Sequence, residues 1–215
     1  MSAVASTTNE RRAYLVGAAL VLAAGTMWSF GGITVRFAPD SDSWQYLIWR
    51  SIGLFCALEA ASLVQGRGST LSRVPSAGWV GILGGFCMML AGVAFVFALK
   101  RTSIANAIFL ASITPLLSML LARPILGEKL TAIGILAVGI GIAGLLVMAG
   151  GKLGDGKLVG DIAALISSLG FAGYTICVRL SRGRDLSAMM PLSALMGIGV
   201  CGIATLINER PLVPP

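Results

Sequence analysis

The sequence predicts an all-α polytopic membrane protein: seven transmembrane helices, arranged as a complete five-helix repeat followed by two helices of an inverted second repeat. Three observations carry this. Only 12% of the 215 residues are charged while 56% are hydrophobic, about half the charge density of an ordinary soluble domain. The charges are also segregated, leaving six uncharged stretches of 17 to 26 residues, and about 20 apolar residues cross a bilayer as a helix. Finally, a shift of 143 residues lays Val35-Arg36 on Val178-Arg179 and Asp42 on Asp185, so the first and sixth spans share one helix–Arg–loop–Asp–helix unit. An odd repeat of five helices must be inverted relative to its neighbour, as in many secondary transporters.

The spans follow in order. The first lies between Arg12 and Arg36, the third between Arg73 and Lys100, and the fourth between Arg101 and Arg123. The fifth lies between Lys129 and Lys152, the sixth between Asp161 and Arg179, and the seventh between Asp185 and Glu209. The second, from Trp44 to Val64, is apolar except for Arg50 and Glu59. Arg11 and Arg12 ahead of an apolar run have the flavour of a twin-arginine signal. The run is longer than a signal's apolar core of roughly 7–15 residues, and six more spans follow, so it reads as a first transmembrane helix. Nine Lys and Arg fall on the side of the N-terminus and six on the other, which puts the N-terminus in the cytoplasm. The chain is expected in the cell (plasma or inner) membrane.

Composition excludes several functions. Histidine is absent, which removes histidine catalysis and histidine-ligated metal. The net charge of +7 comes from basic residues spread singly, with no stripe that could track phosphates, so no nucleic-acid partner is expected. Cys56, Cys87, Cys177 and Cys201 fall inside spans with no Cys-x-x-Cys spacing and read as small packing residues. No metal and no cofactor is expected. There is no Gly-x-x-x-x-Gly-Lys-Ser/Thr phosphate loop. A retinal protein would need a Schiff-base lysine, and the seventh span has none; a ligand receptor is disfavoured by the tiny loops and the repeat. An enzyme would want paired acids or a Ser-Lys dyad within the spans, and neither occurs.

Pro115 in the fourth span, followed by Leu121-Ala122-Arg123-Pro124-Ile125-Leu126-Gly127-Glu128-Lys129-Leu130-Thr131 and a Gly-rich helix, resembles the EamA-like family of the drug/metabolite transporter superfamily. So do Trp28, Arg50, the junction from Leu99 to Ala107, and Gly160-Asp161. The resemblance covers essentially the whole chain. It implies ten helices in two inverted five-helix repeats and the export or exchange of amino acids, metabolites or drugs. On that pattern the last three helices are missing, so the chain reads as a fragment of a longer transporter or a truncated, non-transporting product. The expected divisions are 1–12, a cytosolic tail; 13–150, the first repeat; 157–207, the start of the second; and 208–215, a terminal loop.

Individual residues carry paired readings. Gly25, Trp28, Ser29, Gly32 and Arg36 share about 100° of helical arc, either a packing stripe or a path on which Trp28 stacks against substrate. Ser103, Asn106, Thr114 and Ser118 share about 120°, lining a substrate path or bonding between helices. Pro115 should kink this helix, and the carbonyl it frees could face a cavity. Arg50, well inside the second span, either holds a substrate carboxylate in a bidentate fork or snorkels or pairs with Asp42 or Asp161. Glu59 is a candidate proton-coupling acid, with water or Arg67 as the alternative partners. Glu128 is expected to cap the fifth span and pair with Lys129 or Arg123. Gly134, Ala137, Gly141, Gly144 and Met148 share about 80°, a helix-packing or homodimer face. Tyr174 reads as a cavity aromatic or a packing residue. The partners expected are a small-molecule substrate and the lipid bilayer.

Overall fold

The computed structural model describes residues 2–36, 42–128, 132–152, 158–181 and 183–208. All the regular secondary structure among these residues is helical. In chain order come α1 (Ser2–Arg36), α2 (Ser43–Val64), a 3-10 turn at Leu71–Arg73, α3 (Val74–Arg101), α4 (Ile104–Ala111), α5 (Thr114–Leu126), α6 (Ala132–Lys152), α7 (Leu158–Leu180) and α8 (Met189–Ile207). With α4 and α5 forming one crossing, these are seven helical spans. Five stretches are long and apolar enough to cross a membrane: Ser43–Val64, Leu71–Arg101, Ile104–Leu126, Leu158–Leu180 and Met189–Ile207. The chain divides into two compact units, Met1–Pro39 and Asp40–Pro215. In the first, α1 begins at Ser2, so the expected tail is helical.

In the second unit, α3 and α7 make the most extensive helix–helix contact. Glycine permits it: a Cβ on Gly170 would stand 2.8 Å from both the Ala91 nitrogen and the Cys87 carbonyl oxygen. Close backbones let short polar side chains cross between helices. The Ser167 hydroxyl donates to the Ala91 carbonyl at 2.9 Å, and Ser168 donates to the Leu110 carbonyl at 2.9 Å. On the other side of α3, helices α2 and α8 pack through Leu47, Ile48, Val96 and Cys201, flanked by Trp44 and Phe97. Outward faces remain apolar: Leu169, Ile203 and Leu206 are exposed, as lipid contact requires.

Two spans depart from the continuous helices expected. The fourth breaks at Ser112–Ile113 into α4 and α5, just before Pro115. Proline has no N–H for the carbonyl four residues back, at Ala111. That carbonyl is not left to face a cavity, because the Thr114 hydroxyl donates to it at 2.7 Å. In the third span the backbone leaves the helical region at Gly78 (φ 62°, ψ −164°), a conformation essentially reserved for glycine.

Candidate functional site

A small cleft opens between α2, α3 and α8, lined by Leu47, Arg50, Ser51, Leu54, Met88, Met89, Gly92, Val93, Ser193, Ala194 and Gly197. Among the described residues, Arg50 is its only charged side chain. The eighth residue of α2, it is half-buried, and its guanidinium lies against Gly92, where a Cβ would come within 3.3 Å of Nη1. Gly197 admits Ser51 in the same way, at 2.8 Å from Oγ. Among the described residues Arg50 makes no ion pair; Asp161, one of its expected partners, is taken up elsewhere.

That second engagement is a joint at one end of the bundle. The Asn106 amide donates to Asp161 Oδ1 and, at 3.2 Å, to Thr102 Oγ1. Gly160 brings α7 against the α3–α4 junction: its Cβ would stand 2.7 Å from the Arg101 carbonyl carbon. Ser103, expected on a path-lining face, instead caps α4, its Oγ accepting from the Asn106 N–H at 3.2 Å.

At the opposite end Arg73 gathers three helices. Its guanidinium donates to Ser62 Oγ in α2, to the Arg67 and Gly68 carbonyls (3.2 and 3.3 Å), and to Ser187 Oγ ahead of α8 (2.7 Å). Asp185 lies 4.0 Å away. The Ser187 N–H and hydroxyl hold the Asp185 carboxyl below its usual value, with Arg73 and Arg67 adding to the effect. Glu59, half-buried, accepts from the Ser69 and Thr70 hydroxyls and from the Thr70 N–H at 3.0 Å. Its carboxylate therefore ties the α2–α3 loop to α2. Glu128 pairs with Arg179 at 2.5 Å, not with Arg123 as expected. Lys129 lies outside the described residues.

Comparison with known families completes the picture. The sequence profile of the EamA-like transporter family matches residues 15–150. The chain belongs to the EamA-like transporter family. Comparisons with curated proteins and with solved structures gave no match. This EamA-like chain is thus a multi-pass membrane protein of a transporter family.

Of the described residues singled out in the sequence, only Arg50 lines the cleft. Asn106 belongs to the Asp161 joint, and Thr114 and Pro115 form the α4–α5 break. Tyr174 packs beside Val80, Cys177 and Met189. Ser29 donates to the Gly25 carbonyl at 3.0 Å within α1, and the Trp28 side chain is outside the described residues. On α6, Gly141 receives the Leu116 side chain, while Gly144 meets nothing within 4 Å; Gly134 is partly buried. Among the described residues no three metal-ligating side chains converge. The cleft residues the sequence did not reveal are Ser51, Gly92, Ser193 and Gly197. The available signal was the small residue in each span, but nothing in the sequence says which spans are neighbours.

Proposed function

We propose that this chain is a secondary transporter, a permease or exporter of small organic metabolites such as amino acids or drugs, working by alternating access between inverted repeats. The Arg50 cleft carries the reading. It is a charge-bearing depression inside the membrane-crossing part of the chain, bounded by α2 and α3 from the expected first repeat and α8 from the second. An ionisable group at that depth is costly unless it serves a path or a ligand. Movement of the repeats against one another would change the width of such a cleft. The same reading puts the chain in the plasma or inner membrane with a cytoplasmic N-terminus, on the Lys and Arg count. It also assigns the Gly134–Gly141–Gly144 side of α6 to packing or a homodimer.

The test is flux in proteoliposomes, measured by counterflow across a panel of labelled amino acids and aromatic solutes. Half-buried Leu54 lines the cleft, and Leu54→Trp should fill it. Saturable flux of a panel solute, abolished in a monodisperse Leu54→Trp protein, is the expected result. No saturable flux for any solute, or wild-type flux through Leu54→Trp, would overturn the reading.

A further inference from the structure

We infer that the Arg50 cleft is an anion site, and that its ligand class is a small carboxylate carrying a compact apolar body. The inference rests on the transport reading only for what happens after binding.

Charge comes first. Each acid whose side chain the structure describes is engaged or distant. Asp161 accepts from Asn106, Glu59 from Ser69 and Thr70, Glu128 from Arg179, and Asp185 from Ser187 beside Arg73. Asp42 precedes Arg50 by eight residues of helix, about 12 Å of axial rise. Arg50 thus keeps a guanidinium without a counter-charge among the described residues, in surroundings where a lone cation is expensive. An incoming anion would relieve that cost.

Shape narrows the anion. Gly92, having no side chain, lets the guanidinium lie against α3, and a planar fork of this kind matches a carboxylate with two parallel hydrogen bonds. Ser51 lines the same cleft, its Oγ beside Gly197, and a hydroxyl there can supply one further donor. Beyond these groups the wall is Leu47, Leu54, Met88, Met89 and Val93. The ligand is therefore anionic at one end and aliphatic or aromatic at the other.

The experiment is equilibrium binding of labelled 4-methylpentanoate to the detergent-purified chain, with phenylacetate as a second probe. Competition is measured against isosteric amides and amines. In the wild type, carboxylates should displace the probe at least about tenfold better than their amides, the scale of a charge-assisted pair. Arg50→Gln should erase that preference and Arg50→Lys should retain part of it. Should Arg50→Gln fail to fold, Leu54→Asp places a carboxylate one turn from Arg50; it should abolish carboxylate displacement and make the amine the better competitor. Equal displacement by amide and carboxylate, a preference that survives either substitution, or no saturable binding of either probe would overturn the inference. Failure of the transport reading looks different: Arg50-dependent carboxylate binding without flux of any panel solute. Saturable flux with no carboxylate preference would sink the anion class and leave transport standing.

Discussion

The Asn106 side-chain amide donates to the Asp161 carboxylate across the α4–α7 contact, joining two residues 55 positions apart in sequence. Asp161 is buried, at 7% exposure, and opens α7, where a negative charge also faces the positive end of the helix dipole. Asp161→Ala removes the acceptor and leaves the Asn106 amide short of a partner. The expected cost is about 1–3 kcal/mol, read as a lower thermal midpoint in detergent. Asp161→Asn, which keeps an acceptor, should lose less; equal loss in both would argue that Asp161 merely fills space.

Glycine substitutions should rank by what the added methyl meets. Gly170→Ala drives a Cβ into the Cys87 and Ala91 backbone at 2.8 Å, which cannot rotate away. Overpacking of this kind costs about 1–3 kcal/mol. Gly173→Ala meets the Cys87 sulfur, a side-chain atom, at 2.9 Å, and should be milder. Gly144→Ala meets nothing within 4 Å and gains helix propensity, so it should be neutral or slightly stabilising. A series of midpoints in any other order would contradict the packing described for α3 and α7.

Gly78→Ala should be costly for a different reason. Its φ of 62° with ψ of −164° is strained for any L side chain by about 1–3 kcal/mol, and the new methyl would also approach Arg184 Nη1 at 3.2 Å. Expression yield and midpoint should both fall. Ser76→Ala, two residues away and exposed, serves as the control.

The Glu128–Arg179 pair is half-exposed on both sides, at 47% and 44%. Solvent screening should hold its coupling to about 1 kcal/mol or less. A double-mutant cycle with Glu128→Gln and Arg179→Gln measures it directly, and a coupling several times larger would mean that the pair is far better shielded than its exposure suggests.

Asp185 supplies the pH dependence. Ser187 N–H and hydroxyl donation, then Arg73 and Arg67, hold its carboxyl below its usual value. A depressed carboxylate contributes its stabilisation at neutral pH and loses it as pH falls through the folded value. The contact should therefore persist to a lower pH than an ordinary aspartate would allow. Infrared titration should show the Asp185 carboxylate band, assigned by its disappearance in Asp185→Asn, outlasting those of ordinary aspartates as the pH falls.

Much of this was legible from spacing alone. Uncharged stretches gave the spans, and Pro115 marked the break in the fourth. The polar face drawn through Ser103, Asn106, Thr114 and Ser118 assumed one unbroken helix. Once the chain breaks at Ser112–Ile113, Thr114 serves the Ala111 carbonyl and Ser118 serves that of Thr114. Short hydroxyls satisfy local backbone first, and periodicity cannot tell that use from a substrate path. Arg50 stood out because a charge inside a span is rare. Gly92 and Gly197 did not, because their importance depends on which side chain of another helix presses against them.

Arg73 contacts Ser62 of α2 from the start of α3 and reaches Ser187 just ahead of α8. These are the three helices that bound the Arg50 cleft. One guanidinium therefore acts as the pin of a fan: rods fastened together at one end spread most easily at the other. Widening beside Arg50 that leaves this pin in place would be a splaying of the far ends.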